Sequence, residues 1–429
     1  MVMNMATAMG ANVTKRPDRP RGSGGRLARR FRKQWPARVS LAAIVAVVGY
    51  YEGSFSLAQV SGHDAERAFA LAPYDGRATA HLAAMLSGPE ATASDRQRSD
   101  KLATMALRQN AVSVPAAAAL GFNAQMRGDT VTARRAFTYA ETLSRRDPLT
   151  QLWRIEDAVA HGDVDGALRH YDIALRVKPE MSGALFPVLA AASVEAPVQT
   201  RLVRLLATTP PWRDGFIGFV AARGTDPLAT AMLFRRLDRV GIATPESAKA
   251  ALLAALFADG KVDQAWSYYT TMHPVASRYR SRWRDFSGQS DTPTPFDWVV
   301  VGDGGITGTI AKDGFDFSAP ASIGGPMLQQ VQLLPPGSYR LQGRSTDIDQ
   351  PDGTLPYWTL ICQNGRELGR VTVSRSSQGG AGFEGMFQVP AGCPVQTLIF
   401  VARPSDSISG LSGRIEQVEL KPLSLGGRK

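Results

Sequence analysis

The chain has 429 residues, 44% of them hydrophobic and 20% charged, enough for two or three domains with substantial cores. Its net charge of +11 sits almost wholly in residues 1–38, where ten basic side chains (Lys15, Arg16, Arg19, Arg21, Arg26, Arg29, Arg30, Arg32, Lys33, Arg38) face one acid, Asp18. That leaves only +2 for the rest, too little for the basic stripe that neutralises phosphates, so nucleic acid is not among the expected partners.

Residues 1–34, with "KRPDRPRGSGGR", are low in complexity and are expected to form a disordered cytoplasmic tail. The apolar run "VSLAAIVAVVGYY" (Val39–Tyr51) comes directly after. Taken as 35–57, with Glu52 near its far end, the stretch reaches the roughly 20 residues needed to span hydrocarbon. Trp35, Tyr50 and Tyr51 would form an interfacial belt, with the arginines on the cytoplasmic side. This predicts a single-pass anchor in a bacterial inner membrane, N-terminus cytoplasmic and bulk periplasmic. The rival is a signal peptide cut after "SLA" (Ser56–Ala58), although its cytoplasmic part would be unusually long. The pair Arg29–Arg30 matches a twin-arginine signal, but the residues after it do not fit one.

Residues 62–285 are rich in Ala and Leu with helical periodicity. Three stretches share a spacing: "QMRGDTVTARRAFTYAETLS", "AHGDVDGALRHYDIALRVKP" and "LFADGKVDQAWSYYTTM". Each has a glycine, an alanine five residues on and an aromatic four further: Gly128, Ala133, Phe137; Gly162, Ala167, Tyr171; Gly260, Ala265, Tyr269. The first two sets, with Ala140 and Ala174, lie 34 residues apart. With Gly121 ahead of them, and Pro148 and Pro179 expected to close the second helices, they resemble tetratricopeptide repeats. The third set is degenerate, since Leu253 stands where its first helix wants a small residue. The resemblance implies a solenoid of helix pairs that holds proteins or peptides. Phe122, Gln125, Met126, Leu152, Glu156 and Val159 would line its groove, or pack against the next repeat.

"FSGQSDTPTPFDW" changes the composition and reads as a linker over 286–296. Short β-rich runs separated by turn residues occupy 297–425: "DWVVVG", "QQVQLL", "SYRLQGRS", "YWTLICQ", "LGRVTV", "FEGMFQVP", "VQTLIFVA" and "RIEQVELKP". "QNGR" at Gln363–Arg366 predicts a type I′ hairpin turn. About nine or ten strands in this span make an antiparallel sandwich. Cys362 and Cys393 both fall in it, as a bridge in an oxidising compartment or as two separate buried thiols.

No catalytic signature emerges. The five histidines, His63, His81, His161, His170 and His273, all precede the β region. His161 and His170 are nine apart, fit no metal motif, and read as surface or capping residues. "VGDGGITG" reads as a β-turn, not a phosphate loop. Asp297, Asp303, Asp316 and Glu384 could supply a glycosidase pair, but nothing singles out two of them. Asp347, Asp349 and Asp352 in "DIDQPDG" offer carboxylates for Ca2+, with a solvated turn as the alternative; no other cofactor is expected.

"PFDWVVV", "LLPPGSYRLQGRS", "WTLIC", "FQVPAGCPVQTLIF" and "SGRIEQVEL" resemble a carbohydrate-binding jelly roll of the kind attached to helical-repeat proteins of proteobacterial envelopes. The resemblance implies sugar binding or structural capping. Trp298, Arg344, Tyr357, Trp358, Gln363 and Glu384 are the residue types a sugar site needs; alternation puts Tyr357 and Trp358 on opposite faces, so at most one of them is on a binding face, and the alternative for each tryptophan is a place in the core. The expected whole is a transmembrane helix, a tetratricopeptide-like α-solenoid and a C-terminal antiparallel β-sandwich. Its expected role is a non-catalytic scaffold for envelope proteins in exopolysaccharide biosynthesis or export, with polysaccharide contact by the sandwich. The alternatives are a glycan-active enzyme, or a scaffold for outer-membrane or peptidoglycan machinery without sugar binding.

Overall fold

The computed structural model describes residues 24–61, 63–287, 290–377, 379–405 and 408–423, with side chains from residue 40 onward. The expected disordered tail falls outside these up to residue 23. From there it is corrected: 24–34 open a long helix, α1 (Gly24–Val60). Within α1 the 21-residue stretch Ser40–Val60 is long and apolar enough to cross a membrane, by length and composition. Its far end is tied to residues of the next helices. Ala58 packs with Ala68, Ala72 and Ala78, and Tyr74 Oη donates to the Tyr51 carbonyl at 3.0 Å.

The chain divides into two compact units, Met1–Thr150 and Gln151–Lys429, rather than at 286–296. The first holds α1, α2 (Ala65–Leu71), α3 (Gly76–Met85), α4 (Ala93–Gln109), α5 (Val114–Met126) and α6 (Thr130–Leu143). Its core is built from alanines, which let helix backbones approach closely. Asp64, Asp75, Thr92 and Asp129 cap four of these helices through side-chain hydrogen bonds to backbone N–H groups. The repeat spacing is used as packing logic predicts: Ala133, Phe137 and Ala140 are fully buried on α6. A Cβ on Gly121 of α5 would lie 2.8 Å from the Phe137 ring, so only glycine lets that ring seat.

The boundary falls inside α7 (Pro148–Ala160). The second unit continues with α8 (Val164–Val177), α9 (Ser182–Ala192), α10 (Ala196–Leu206), α11 (Arg213–Arg223), α12 (Pro227–Arg239), α13 (Glu246–Ala258) and α14 (Val262–Met272). Gly128, Gly162 and Gly260 take φ of +79°, +68° and +71° between paired helices. In each turn the residue after the glycine donates to a carbonyl five residues back: Asp129 to Ala124, Asp163 to Ala158 and Lys261 to Leu256. Gly241, at φ +78°, makes the same turn after α12, outside the three spaced sets. Pro148 opens α7 instead of closing α6, which ends at Leu143. His170 is 3% exposed and bonded to Gln151 at 2.8 Å, so its reading as a surface or capping residue is also corrected.

Ten strands complete the second unit: β1 (Val299–Val300), β2 (Thr307–Ala311), β3 (Gly314–Ala319), β4 (Gly325–Gln332), β5 (Gly337–Thr346), β6 (Tyr357–Cys362), β7 (Glu367–Thr372), β8 (Ala381–Val389), β9 (Gln396–Ala402) and β10 (Leu411–Pro422). They form two antiparallel sheets, β1-β4-β9-β6-β7 and β2-β3-β10-β5-β8, packed face to face as a jelly-roll sandwich. Cys362 and Cys393 are disulfide-bonded, tying the end of β6 to the loop before β9. The "QNGR" hairpin stands where expected, but its turn is not type I′. Gly365 alone has positive φ (+84°), and its N–H donates to the Cys362 carbonyl. The loop is therefore a type I turn closed by a glycine bulge.

The 286–296 segment is not a free linker. Phe286 is 2% exposed in the sandwich core, and Phe296 is fully buried in the helical core with Val331, Leu333 and Val395. Polar composition suggested a tether, but two aromatics fasten its ends.

Gly121→Ala should destabilise the chain by about 1–3 kcal/mol through overpacking against Phe137. Urea unfolding should show a lower midpoint with an unchanged slope; an unchanged midpoint would count against close α5–α6 packing.

Candidate functional site

The six sugar-site residues do not converge. Trp298 and Trp358 are 0% exposed, in mutual contact at 5.6 Å between the sheets, so of the two readings for these tryptophans the structure selects core and removes both as platform candidates. Arg344 and Glu384 lie on the outer face of the β5-containing sheet, each in an ion pair, with Glu416 at 2.9 Å and Arg340 at 3.3 Å. Gln363 is exposed in the β6–β7 turn. Tyr357 alone stands half-exposed on the outer face of the other sheet, as strand alternation requires with Trp358 facing inward.

Around Tyr357 the structure supplies partners that the sequence did not single out. Arg370 reaches it from β7 and Arg403 from the end of β9, their guanidinium carbons 4.8 and 4.9 Å from the ring centroid. Glu367 accepts from Arg370, and that hydrogen bond holds its carboxyl below the ordinary range. Thr359 donates to Glu367 at 3.0 Å. The surface therefore carries a phenol, two forked guanidiniums and one carboxylate.

The other predicted positions are scattered. Asp347, Asp349 and Asp352 are exposed, while Ile348 and Gln350 between them are buried. Among the described residues no group of three or more His, Cys, Asp or Glu is placed to hold a metal ion. Phe122 on α5 packs beside Arg96 at 5.7 Å, with Gln125 half-buried and Met126 exposed. On α7, Leu152 packs against the helical core while Glu156 and Val159 face solvent.

The joint between α14 and the sandwich holds a second constellation. Asp297 is 2% exposed and accepts from Tyr269 Oη and Trp283 Nε1, both at 2.7 Å, and from the Thr294 amide and hydroxyl at 2.9 and 2.7 Å. Arg282 is buried beside it. It donates to the Phe296 carbonyl at 2.7 Å and to the Val331 carbonyl, and its carbon lies 5.5 Å from the Trp266 centroid. Burial pulls its pKa down to about 10. A cavity of about 210 Å³ opens against this joint. Its walls include His273, Arg280, Trp283, Arg284 and Glu419, none of which was chosen from sequence as a binding residue, because no motif joins them.

No family model and no curated protein matches the chain. Among solved structures it is similar to one described as "CBM4 structure and function", at 13% identity over 33% of this chain and 99% of that one, TM-score 0.26. It is also similar to TmCBM61 in complex with β-1,4-galactotriose, at 16% identity over 34% and 100% of the two chains, TM-score 0.26. A third similarity is to the enzymatically active domain of bacteriophage CBA120 tailspike protein 4, at 15% identity and TM-score 0.26; the match covers 34% of this chain and spans 22% of that one. At these TM-scores the likenesses decide nothing about a ligand.

Burial raises the pKa of Tyr268 and Tyr269 above the ordinary tyrosine range, and the Asp297 charge adds to the effect at Tyr269. Burial also raises Tyr171 and Tyr339. Each folded value exceeds the unfolded value near 10, so their stabilisation is complete below pH ~10 and is lost as pH climbs through the folded values. Arg282 acts in the opposite sense above about 10, one group against four. On alkaline titration, exposed tyrosines should ionise near pH ~10. The buried set should ionise only together with loss of near-ultraviolet circular dichroism; a single transition that leaves the fold intact would contradict this burial.

Proposed function

We propose that the chain is a non-catalytic, membrane-anchored scaffold of an envelope polysaccharide assembly. The helical region holds partner proteins, and the sandwich contacts glycan. The Tyr357 surface carries the sugar part of this reading. It presents flat, forked donors and a phenol on an open sheet face, groups that pair with sugar hydroxyls and carboxylates. The guanidiniums flank the ring, so recognition there works through hydrogen bonds more than through bare stacking.

The placement of carboxylates supports a binding role over a glycan-active enzyme. A glycosidase pair stands roughly 5–10 Å apart. Asp316 on β3 and Glu384 on β8 are three strands apart, about 14 Å at ~4.8 Å per strand. Asp297 is buried with four hydrogen bonds to the joint. The disulfide suits an oxidising compartment, and α1 supplies an anchor whose far end is tied to the first helices.

Titration of the full chain in detergent against a panel of bacterial polysaccharides should find at least one ligand. Tyr357→Ala and Arg403→Ser should each weaken it about tenfold, the effect of losing one well-placed contact. Binding to none of the panel would remove the sugar role and leave a scaffold for protein machinery. Mass spectrometry of the protein from native membranes should recover peptides that start before Ser40. A mature terminus at Gln59 would overturn the anchor.

A further inference from the structure

We infer that the cavity at the α14–sandwich joint binds a single carboxylated sugar residue, a uronate. This inference rests on the reading of the chain as a glycan-binding protein and places a second, distinct contact for the same polymer. The cavity, at about 210 Å³, is below the roughly 300–1,000 Å³ typical of drug-sized ligands and suits one small ring.

Its walls supply the three groups that such a ring needs. The first is an aromatic surface. Trp283 is half-buried on the cavity wall, and the His273 ring sits between it and Tyr269, at 5.3 and 4.6 Å. The apolar C–H face of a sugar packs on such rings. The second is positive charge without a carboxylate partner. Among the described residues Arg280 makes no ion pair, and the side chain of Arg284 is held only by the Gln417 amide oxygen, at 2.6 and 3.2 Å. Both side chains are exposed at the cavity. A ligand carboxylate would give either guanidinium a charge-assisted partner. The third is an acceptor for hydroxyls, Glu419, already oriented by Gln342 at 3.3 Å and Lys421 at 3.2 Å.

The backbone points the same way. Trp283 has φ +52° and Phe286 +62°, a left-handed conformation that bulky side chains avoid at a cost of order 1–3 kcal/mol each. The surroundings hold this turn in place: Trp283 Nε1 donates to Asp297, and the Trp283 carbonyl accepts from Trp298 Nε1 at 3.1 Å and from the Phe286 amide at 3.0 Å. A conformation so strained and so fully held fixes the indole on the wall before any ligand arrives.

Calorimetric titration of the full chain in detergent with D-glucuronate, D-glucose and inorganic phosphate tests this. Glucuronate should bind, and glucose should bind at least tenfold more weakly. Arg280→Ser and Arg284→Ser should each lower glucuronate affinity about tenfold, as loss of a charge-assisted hydrogen bond implies. The surface variant Arg213→Ser should leave affinity unchanged, which separates a local contact from a change in net charge. Unchanged thermal midpoints will show that the variants fold. Equal affinity for glucose and glucuronate would overturn the inference. So would phosphate that displaces glucuronate with the same dependence on the two arginines, since that marks a bare anion site. If glucuronate does not bind while a polysaccharide still binds in a Tyr357-dependent way, the cavity inference fails and the function stands. If neither binds, both fall.

Discussion

Asp297 and Arg282 set the architecture of the second unit. A carboxylate and a guanidinium are both buried where helix meets sheet, and burying either alone would cost several kcal/mol. Each is therefore held by hydrogen bonds to fixed groups. Asp297 takes four donors from α14, the connector and Thr294. Arg282 gives its protons to two carbonyls and to the Gln332 amide oxygen, and its own backbone exchanges hydrogen bonds with Gln330. Removing one member would strand the others, so the joint behaves as a unit.

The same joint solves a problem of the sheet. Past Ile415, β10 parts from β3 and leaves an edge that could pair with another chain. The connector fills it. Ser281 and Leu420 exchange hydrogen bonds, and the Val418 amide donates to the Arg284 carbonyl. The segment that reaches Asp297 and Arg282 from below thus seals the sheet from above. This is why helices α8–α14 and the sandwich share one apolar core through Phe296, Val331, Leu333 and Val395. The sandwich does not swing on a tether, and surfaces on either side of the joint keep a fixed relation.

Periodicity governs how much of the fold was legible in the sequence. The glycine turns, the alanine and aromatic positions of the helix pairs, and eight of the ten strands were readable because each obeys a local rule. The alternation of Tyr357 and Trp358 was readable for the same reason. The β2–β3 hairpin was missed although "FDFSA" alternates, because that run is short and its partner "TGTIA" has one large apolar residue, Ile310. The joint was invisible for a deeper reason. Trp283, Asp297, Gln330 and Glu419 are distant in sequence and meet only through the fold, and the polar composition around 286–296 pointed the wrong way. Of the sugar-site residues, only Tyr357 lies where a ligand could reach an aromatic ring, since burial, which sequence cannot assign to a lone tryptophan, removed Trp298 and Trp358.

Charge placement ties the two surfaces together. On the sandwich, Asp313, Asp316, Glu367, Glu384, Glu416 and Glu419 each lie 2.5–3.6 Å from an Arg or Lys nitrogen. Exposed pairs of this kind add little stability. Their consequence is local: each pair fixes the position of a charged side chain on the sandwich surface. The guanidiniums of Arg403, Arg280 and Arg284 have carbonyl, amide or no partners among the described residues, and they sit beside two half-buried rings, Tyr357 and Trp283. These three guanidiniums thus stand next to rings without a carboxylate partner among the described residues, and on the proposed reading that pairing of charge and ring suits a negatively charged, oxygen-rich ligand better than a neutral one.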